Sequence, residues 1–111
     1  MWPKGFRKKK PYTAAELLRC DCEVDAERIR RTLGQGDILH IAPPHEESMS
    51  LGAIYPPGGG EITEWYYHRV VRIRDRIYDR MTGPDGMPQE QYLNLFAEKD
   101  VLVIRPLEIQ E

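Results

Sequence analysis

The feature that most constrains the fold is a pair of strand-like runs separated by a two-residue turn. Residues Ile62 to Ile73 are rich in aromatic and β-branched side chains, and a second run covers Arg76 to Met81. Arg74 and Asp75 lie between the two runs, and such a short separation is typical of a β-hairpin. The sequence therefore predicts a hairpin within Trp65 to Thr82.

The length of this turn decides which side chains share a face of the hairpin. With a two-residue tip, Ile73 pairs with Arg76, and the register makes His68 and Asp79 diagonal neighbours on one face. Their Cβ atoms would be roughly 5–7 Å apart, which permits a hydrogen bond between imidazole and carboxylate. Asp79 could then orient His68 as an acid orients a general base. The same face is expected to carry Val70, Arg72, Ile77 and Met81.

Two short helices are expected upstream of the hairpin. Thr13 and Glu16 have the spacing of a capping box, which predicts a helix that begins at Thr13. Asp21 can cap a second helix, and this helix would place Cys22 in its first turn. The dipole and the free N–H groups of a helix N-terminus favour the thiolate form of a cysteine. The apolar residues that follow at near-helical spacing are Val24, Ala26, Ile29 and Leu33. Gly34 suits the end of this helix.

The remaining segments complete an α+β prediction. Asp37 to Ala42 alternates like a strand, and the stretch from Pro43 to Gly60 predicts a long loop of a kind that is usually functional or mobile. Pro88 to Glu98 predicts a helix, and the apolar run Val101 to Ile104 predicts a central strand that Pro106 limits. We expect an N-terminal helix carrying the cysteine, packed on a small antiparallel sheet with strands at Asp37, Ile62, Arg76 and Val101.

Length and composition indicate one globular domain. The chain has 111 residues, of which 41% are hydrophobic and 31% are charged. This hydrophobic fraction is too high for a disordered chain. Sixteen basic and eighteen acidic residues nearly cancel, so charge does not favour nucleic acid or a membrane as partner. No apolar run approaches the roughly 18 residues of a membrane span, and the N-terminus lacks the apolar region of a secretory signal. Residues 1–12 are expected to form a flexible basic leader or linker, and residues 13–111 the domain.

The two cysteines are separated by a single residue. A disulfide between Cys20 and Cys22 would be strained in most backbones. Two cysteines and three histidines without finger-like spacing do not predict a zinc site. We therefore expect two free thiols, and neither a metal nor another cofactor.

Spacing alone leaves three interpretations of these residues open. A cysteine near a helix start is more often a small buried residue than a nucleophile, and a strand histidine is more often structural than catalytic. One alternative to a cysteine enzyme is a small ribonuclease-type toxin that uses His68, Asp79, Arg72 and the basic leader. The other is a non-catalytic binding module whose contact surface is Trp65, Tyr66 and Tyr67.

The chain resembles a known family in the residues around the cysteine and the hairpin. The matching pattern is Cys22-x-x-x-Ala26-x-x-Ile29-x-x-x-Leu33-Gly34, then a strand, then His68-x-Val70 and Arg76-Ile77-Tyr78-Asp79. It is similar to the papain-fold toxin domains of bacterial polymorphic toxin systems, and most similar to the second papain-fold toxin family. In that family a cysteine opens the first core helix, a histidine begins a strand, and an Ile/Val-Tyr/Phe-Asp run closes the hairpin.

The resemblance implies a papain-like core with Cys22 as nucleophile, His68 as general base and Asp79 as the orienting residue. The implied activity is that of a peptidase, glutamine deamidase or transglutaminase acting on a protein substrate in a target cell. It implies an effector that is made in the cytoplasm of a producing cell, is delivered into a rival or host cell, and has a cognate immunity protein as partner. Papain-like enzymes place a glutamine before the nucleophile as an oxyanion donor, but none precedes Cys22, so backbone N–H groups are expected to serve instead.

Overall fold

The architecture is α+β, as the sequence predicts, and a computed structural model describes residues 2–6 and 10–108. A five-stranded antiparallel sheet has the order β4-β3-β2-β1-β5. Its strands are β1 Asp37–Ala42, β2 His68–Ile73, β3 Arg76–Tyr78, β4 Met87–Pro88 and β5 Val103–Leu107. The helices are α1 Ala14–Leu17, α2 Cys22–Leu33 and α3 Gln89–Leu93, with a 3₁₀ turn at Lys99–Val101.

The hairpin of β2 and β3 has the predicted two-residue turn and register, with Ile73 paired to Arg76. Both strands are shorter than predicted. Ile62 lies outside β2 and forms an isolated bridge with Ile54. The chain leaves β3 at Asp79, because the backbone N–H of Asp79 donates to Thr82 Oγ1 at 3.0 Å and its carboxylate accepts from the Thr82 N–H at 3.0 Å. This side-chain-stabilised turn replaces the last residues of the predicted strand.

The sheet separates two clusters of buried apolar side chains, because successive strand residues point to opposite faces. On one face, α2 packs Ala26 and Ile29 against Ile38 and Val71. On the other face, α1, α3 and the long loop between β1 and β2 cover the sheet. That loop belongs to the core, since three of its residues are 0% exposed, namely Leu51, Ile54 and Ile62.

The helix starts agree with their predicted caps. Thr13 and Glu16 form the capping box of α1, and Asp21 caps α2. Val24 was expected to face the core but is 48% exposed, because the core-facing stripe of α2 runs through Ala26 and Ile29. In the third helix, α3 ends at Leu93 instead of Glu98. Within residues 2–6 and 10–108, no helix is both long enough and apolar enough to cross a membrane.

The last strand lies at the edge of the sheet and not at its centre. The sequence predicts a central strand from Val101, and this prediction is wrong, because β5 is the edge strand next to β1. Pro106 lies inside β5, and a proline without an N–H group is tolerated at an edge where one side of the strand faces away from the sheet. The 47% exposure of Val103 agrees with this edge position.

The N-terminal residues also differ from expectation. Trp2 and Phe6 are 5% and 3% exposed and belong to the cluster of buried side chains on the α2 side of the sheet. They therefore pack as part of the folded domain, whereas the sequence predicts a flexible leader through residue 12. The Phe6 ring lies 3.8 Å from the guanidinium carbon of Arg80. The two buried aromatic side chains provide the apolar area that holds this segment. Residues 7–9, which carry part of the predicted basic leader, lie outside the described residues.

Candidate active site

His68 and Asp79 form a buried pair at the open end of the hairpin. His68 is the first residue of β2, and Asp79 follows the last residue of β3. The distance from His68 Nε2 to Asp79 Oδ2 is 2.9 Å, and the two side chains are 6% and 5% exposed. The predicted hydrogen bond is therefore present, and it fixes the orientation of the imidazole ring.

The Asp79 carboxylate is held by two further donors. Its Oδ1 accepts from the Thr82 N–H, and its Oδ2 accepts from the Tyr92 hydroxyl as well as from His68. Burial and the charge of Asp79 raise the pKa of Tyr92 well above its ordinary value, so this hydroxyl keeps its proton and remains a donor. Tyr92 lies within the helix that the sequence predicts for Pro88 to Glu98, and no local pattern reveals its contact with Asp79.

Two contacts hold the start of α2 beside the start of β2. The Tyr67 hydroxyl donates to the Glu23 carboxylate, and Arg69 Nη1 lies 3.4 Å from Glu23 Oε2. Cys22 precedes Glu23 in the chain and lines, together with His68, a small cavity of about 20 Å³. A cavity of this volume can hold a single water molecule. The structure thus brings Cys22, His68 and Asp79 together from three separate elements.

The charge state of His68 depends on both of its acidic neighbours. Burial by itself lowers the pKa of His68, but the hydrogen bond with Asp79, the contact with Cys22 and the negative charges of these partners raise it to about 9. His68 Nδ1 is buried and has no hydrogen-bond partner of standard geometry among the described residues. The Cys22 thiol contributes to the raised pKa of His68, so it lies near the imidazole, although no hydrogen bond of standard geometry joins the two side chains. Such loose geometry is common in catalytic sites before substrate binds.

Two walls of the small cavity are an aromatic ring and an ion pair. The Trp65 ring stacks on His68 with a centroid distance of 4.8 Å and an interplanar angle of 12°. On another side, Arg80 binds Asp25 through two hydrogen bonds of 2.6 and 3.0 Å. Both groups line the cavity, and the Arg80 charge is neutralised by its partner. The walls therefore limit the access of water to the imidazole without adding an unpaired charge.

The second cysteine has a different environment from Cys22. Cys20 precedes the cap of α2, and its thiol donates to the Glu16 carbonyl at 3.5 Å. Burial raises the pKa of Cys20, which favours the neutral thiol. Both cysteines are free, as expected. These environments favour Cys22 over Cys20 as the reactive thiol.

The expected oxyanion donors are only partly available. Asp21 Oδ1 accepts from the N–H groups of Glu23 and Val24 at 3.0 and 3.3 Å, so the cap occupies two donors of the first helical turn. The N–H of Cys22 itself has no partner among the residues that the structure describes. This N–H group belongs to the same residue as the thiol, and it is a hydrogen-bond donor that the Asp21 cap does not use.

A second buried histidine shows what a structural role looks like in this fold. His40 is 4% exposed, its Nε2 lies 3.1 Å from both carboxylate oxygens of Glu46, and its Nδ1 accepts from Arg69 Nε at 3.3 Å. Its ring stacks on Tyr67 with a centroid distance of 5.0 Å. Both ring nitrogens of His40 thus have partners within the protein, whereas Nδ1 of His68 has none among the described residues.

Neither alternative interpretation has all of its described residues in one place, although His68 and Asp79, which the ribonuclease alternative also uses, form a pair. Arg72 pairs with Asp37 at 3.5 Å, and it lies four residues along β2 from His68, roughly 13 Å at strand spacing. Trp65 and Tyr67 are half-buried and stack on the two histidines, so among the three predicted contact aromatics only Tyr66 is largely exposed.

Comparisons of the chain with family models, with curated proteins and with solved structures found no match. The functional interpretation therefore depends on the geometry and chemistry of these residues.

Proposed function

We propose that this domain is a cysteine-dependent acyl-transfer enzyme. Cys22 is the nucleophile, His68 moves the proton and Asp79 orients the imidazole. The observation that supports this assignment most strongly is the meeting of Cys22 with the buried His68–Asp79 pair in one cavity. An imidazole with a carboxylate on one nitrogen and a thiol near its other side is the arrangement that nucleophilic catalysis by cysteine requires.

The reaction proceeds through a thioester. The Cys22 sulfur attacks the carbonyl carbon of a peptide bond or of a glutamine side-chain amide, and the thiol proton resides on His68. His68 passes this proton to the departing nitrogen, so the C–N bond breaks and an amine or ammonia leaves. Water or an amine then attacks the thioester, His68 takes its proton, and the C–S bond breaks. The products are a carboxylic acid or a new amide, together with the regenerated thiol.

The electrostatics of the site suit this sequence of steps. Because the pKa of His68 is about 9, the imidazolium is the dominant form near neutral pH and can stand beside a thiolate. Asp79 stabilises that cation, and the free Cys22 N–H can stabilise the oxyanion of the tetrahedral intermediate. Thr82 and Tyr92 keep the carboxylate in place while the proton moves.

We further propose that the enzyme is a papain-like effector of the polymorphic toxin type. The support for this is the resemblance in sequence around Cys22, His68 and Asp79. A toxin of this kind would modify a protein of the target cell and would be neutralised in the producing cell by an immunity protein. Peptide cleavage, glutamine deamidation and transglutamination all pass through a thioester on Cys22. The first two differ in the amide that Cys22 attacks, and transglutamination differs in that an amine and not water attacks the thioester.

Expression toxicity tests the role of the nucleophile. We expect induced expression of the wild-type chain to arrest bacterial growth and Cys22→Ala to relieve the arrest, whereas Cys20→Ala stays as toxic as the wild type. Mass spectrometry of target-cell proteins should reveal cleaved or deamidated products only with an intact Cys22. Full toxicity of Cys22→Ala at equal expression would contradict the proposal.

Thiol alkylation tests the same site without a known substrate. At neutral pH, iodoacetamide should modify Cys22 at least about tenfold faster than Cys20, because only Cys22 stands beside an imidazolium. His68→Ala should slow the labelling of Cys22 and leave that of Cys20 unchanged. Equal labelling rates at the two cysteines in the folded wild type would count against a catalytic thiol.

A further inference from the structure

An open groove with a volume of about 480 Å³ leads to Cys22 from the surface. It lies between the turn before α2 and the segment before β2. Cys22 and Trp65 line both this groove and the small cavity that His68 lines. Its other acidic and aromatic lining residues are Asp21, Glu23, Glu64, Tyr66 and Tyr67.

The groove carries uncompensated negative charge. Arg69 and Arg80 line the neighbouring small cavity, and each is already paired with a carboxylate, at 3.4 Å from Glu23 and 2.6 Å from Asp25. Glu64 is exposed and has no hydrogen-bond or ion-pair partner among the described residues. A cation entering the groove would therefore meet a free carboxylate.

The aromatic side chains of the groove differ in availability. Trp65 stacks on His68 and Tyr67 stacks on His40, so a histidine covers one face of each of these aromatic rings. Tyr66 is 51% exposed. The guanidinium of Arg69 lies 5.5 Å from the centre of the Tyr67 ring, which shows that the lining already accommodates a cation against an aromatic face.

The small volume of the cavity beside His68 favours the groove as the place where a ligand binds. His68 is 5% exposed, and its Nδ1 has no partner of standard geometry among the residues that the structure describes. The cavity beside it holds only about 20 Å³, which suffices for a water molecule but not for a peptide group. The groove has room for a peptide segment and also reaches Cys22, so we expect a reacting acyl group to approach Cys22 from the groove side.

We propose that the groove binds a lysine- or arginine-bearing segment of the protein substrate, with Glu64 and Tyr66 receiving the cationic side chain beside the acyl group that Cys22 attacks. The inference deepens the proposed function and rests on it for the fate of the acyl group. Binding itself requires no catalysis. A carboxylate and an exposed aromatic face together recognise a cationic side chain and disfavour an anionic one.

The test measures peptide binding to the full chain carrying Cys22→Ala, so that no peptide is consumed. Three fluorescent peptides of equal length present one central glutamine flanked by arginine and lysine, by serine, or by glutamate. Fluorescence anisotropy at low salt should show at least about tenfold tighter binding of the cationic peptide than of the anionic one, and this preference should shrink as salt screens the charges.

Substitutions in the groove locate the preference. Glu64→Gln should weaken binding of the cationic peptide about two- to fivefold, and Glu64→Lys should weaken it further, as expected for an exposed ion pair. Tyr66→Leu should weaken binding by a similar factor through loss of the cation–π contact. The matched controls are Glu90→Gln, an exposed carboxylate on α3, and Tyr55→Leu, a tyrosine that is 49% exposed elsewhere. Both should bind the cationic peptide as tightly as the Cys22→Ala parent.

The outcomes separate this proposal from the proposed function. Equal binding of the three peptides, or equal weakening by the groove and control variants, overturns the groove assignment even if Cys22 is catalytic. Charge-selective binding that depends on Glu64 supports the assignment even if the wild-type chain modifies no protein, and that result would overturn only the proposed function.

Discussion

At the residue scale, the two buried histidines differ in the use of their ring nitrogens. His40 contacts Glu46 with Nε2 and Arg69 with Nδ1, so its hydrogen-bonding capacity is used within the fold. His68 contacts Asp79 with Nε2, and its buried Nδ1 has no hydrogen-bond partner among the described residues. A nitrogen left unpaired in a buried position costs free energy, and it is retained where a reactant can use it.

Tyr92→Phe tests how strongly the Asp79 carboxylate depends on its hydroxyl donor. The substitution keeps the ring in the core but removes one hydrogen bond to a buried charged acceptor, so the free energy of unfolding should fall by about 2 kcal/mol. Urea unfolding followed by tryptophan fluorescence measures the change. Tyr55→Phe, at an exposed position, is the control and should lie within about 0.5 kcal/mol of the wild type. An equally small change for Tyr92→Phe would show that Thr82 and His68 suffice to hold Asp79.

At the element scale, the start of α2 determines where Cys22 lies. Asp21 accepts the N–H groups of Glu23 and Val24, which sets Cys22 as the first helical residue. Tyr67 and Arg69 then bind Glu23 from the start of β2. The cap thus fixes the thiol within the helix, and these contacts fix the helix end against the hairpin.

Asp21→Ala should lower the free energy of unfolding by about 1 kcal/mol, because two N–H groups of α2 lose their acceptor. Asp21→Asn retains a capping oxygen and should cost only a small part of this amount. Denaturant unfolding of the two variants provides the measurement. If asparagine and alanine were equally destabilising, the charge of Asp21 at the helix N-terminus would matter more than its hydrogen bonds.

At the scale of the whole molecule, the N-terminal segment and the buried site contribute to global stability. Phe6 lies against two guanidinium groups, with Arg28 at 4.8 Å and Arg80 at 3.8 Å from its ring centre. Arg80 in turn binds Asp25 on α2 and donates to the Tyr12 hydroxyl. The segment before α1 is therefore connected through Arg80 to the helix that carries Cys22.

Phe6→Ala should lower the free energy of unfolding by about 3 kcal/mol, because a buried aromatic ring and its contacts with the arginines are lost. Thermal and urea unfolding of the full chain measure this effect. Tyr55→Ala removes an aromatic ring at an exposed site and should change stability by less than about 0.5 kcal/mol. Similar small changes for both variants would mean that the N-terminal segment adds little to the fold.

The stability of the domain should depend on pH through His68. Its pKa is raised to about 9 from an ordinary value of 6.5, so the folded state gains stability that is fully present below pH 6.5 and is lost as pH rises through 9. The free energy of unfolding should fall by about 3 kcal/mol across this window. Denaturant unfolding between pH 6 and 9.5 measures the slope, which His68→Gln should flatten and His45→Gln, at an exposed histidine, should preserve. A wild-type stability that does not change across this range would contradict an imidazolium at His68.

Features that depend on near neighbours are predictable from the sequence. Turn length sets the register that makes His68 and Asp79 diagonal neighbours, and the caps at Thr13 and Asp21 set the starts of α1 and α2, because these effects act within a few residues. Contacts between residues that are far apart in the chain depend on tertiary packing. The bond from Tyr67 to Glu23 spans 44 positions of the chain and holds Cys22 beside the hairpin. Packing brings the Tyr92 hydroxyl to Asp79, places β5 at the edge of the sheet and buries the N-terminal aromatic residues. Such packing leaves no periodic signal in the sequence.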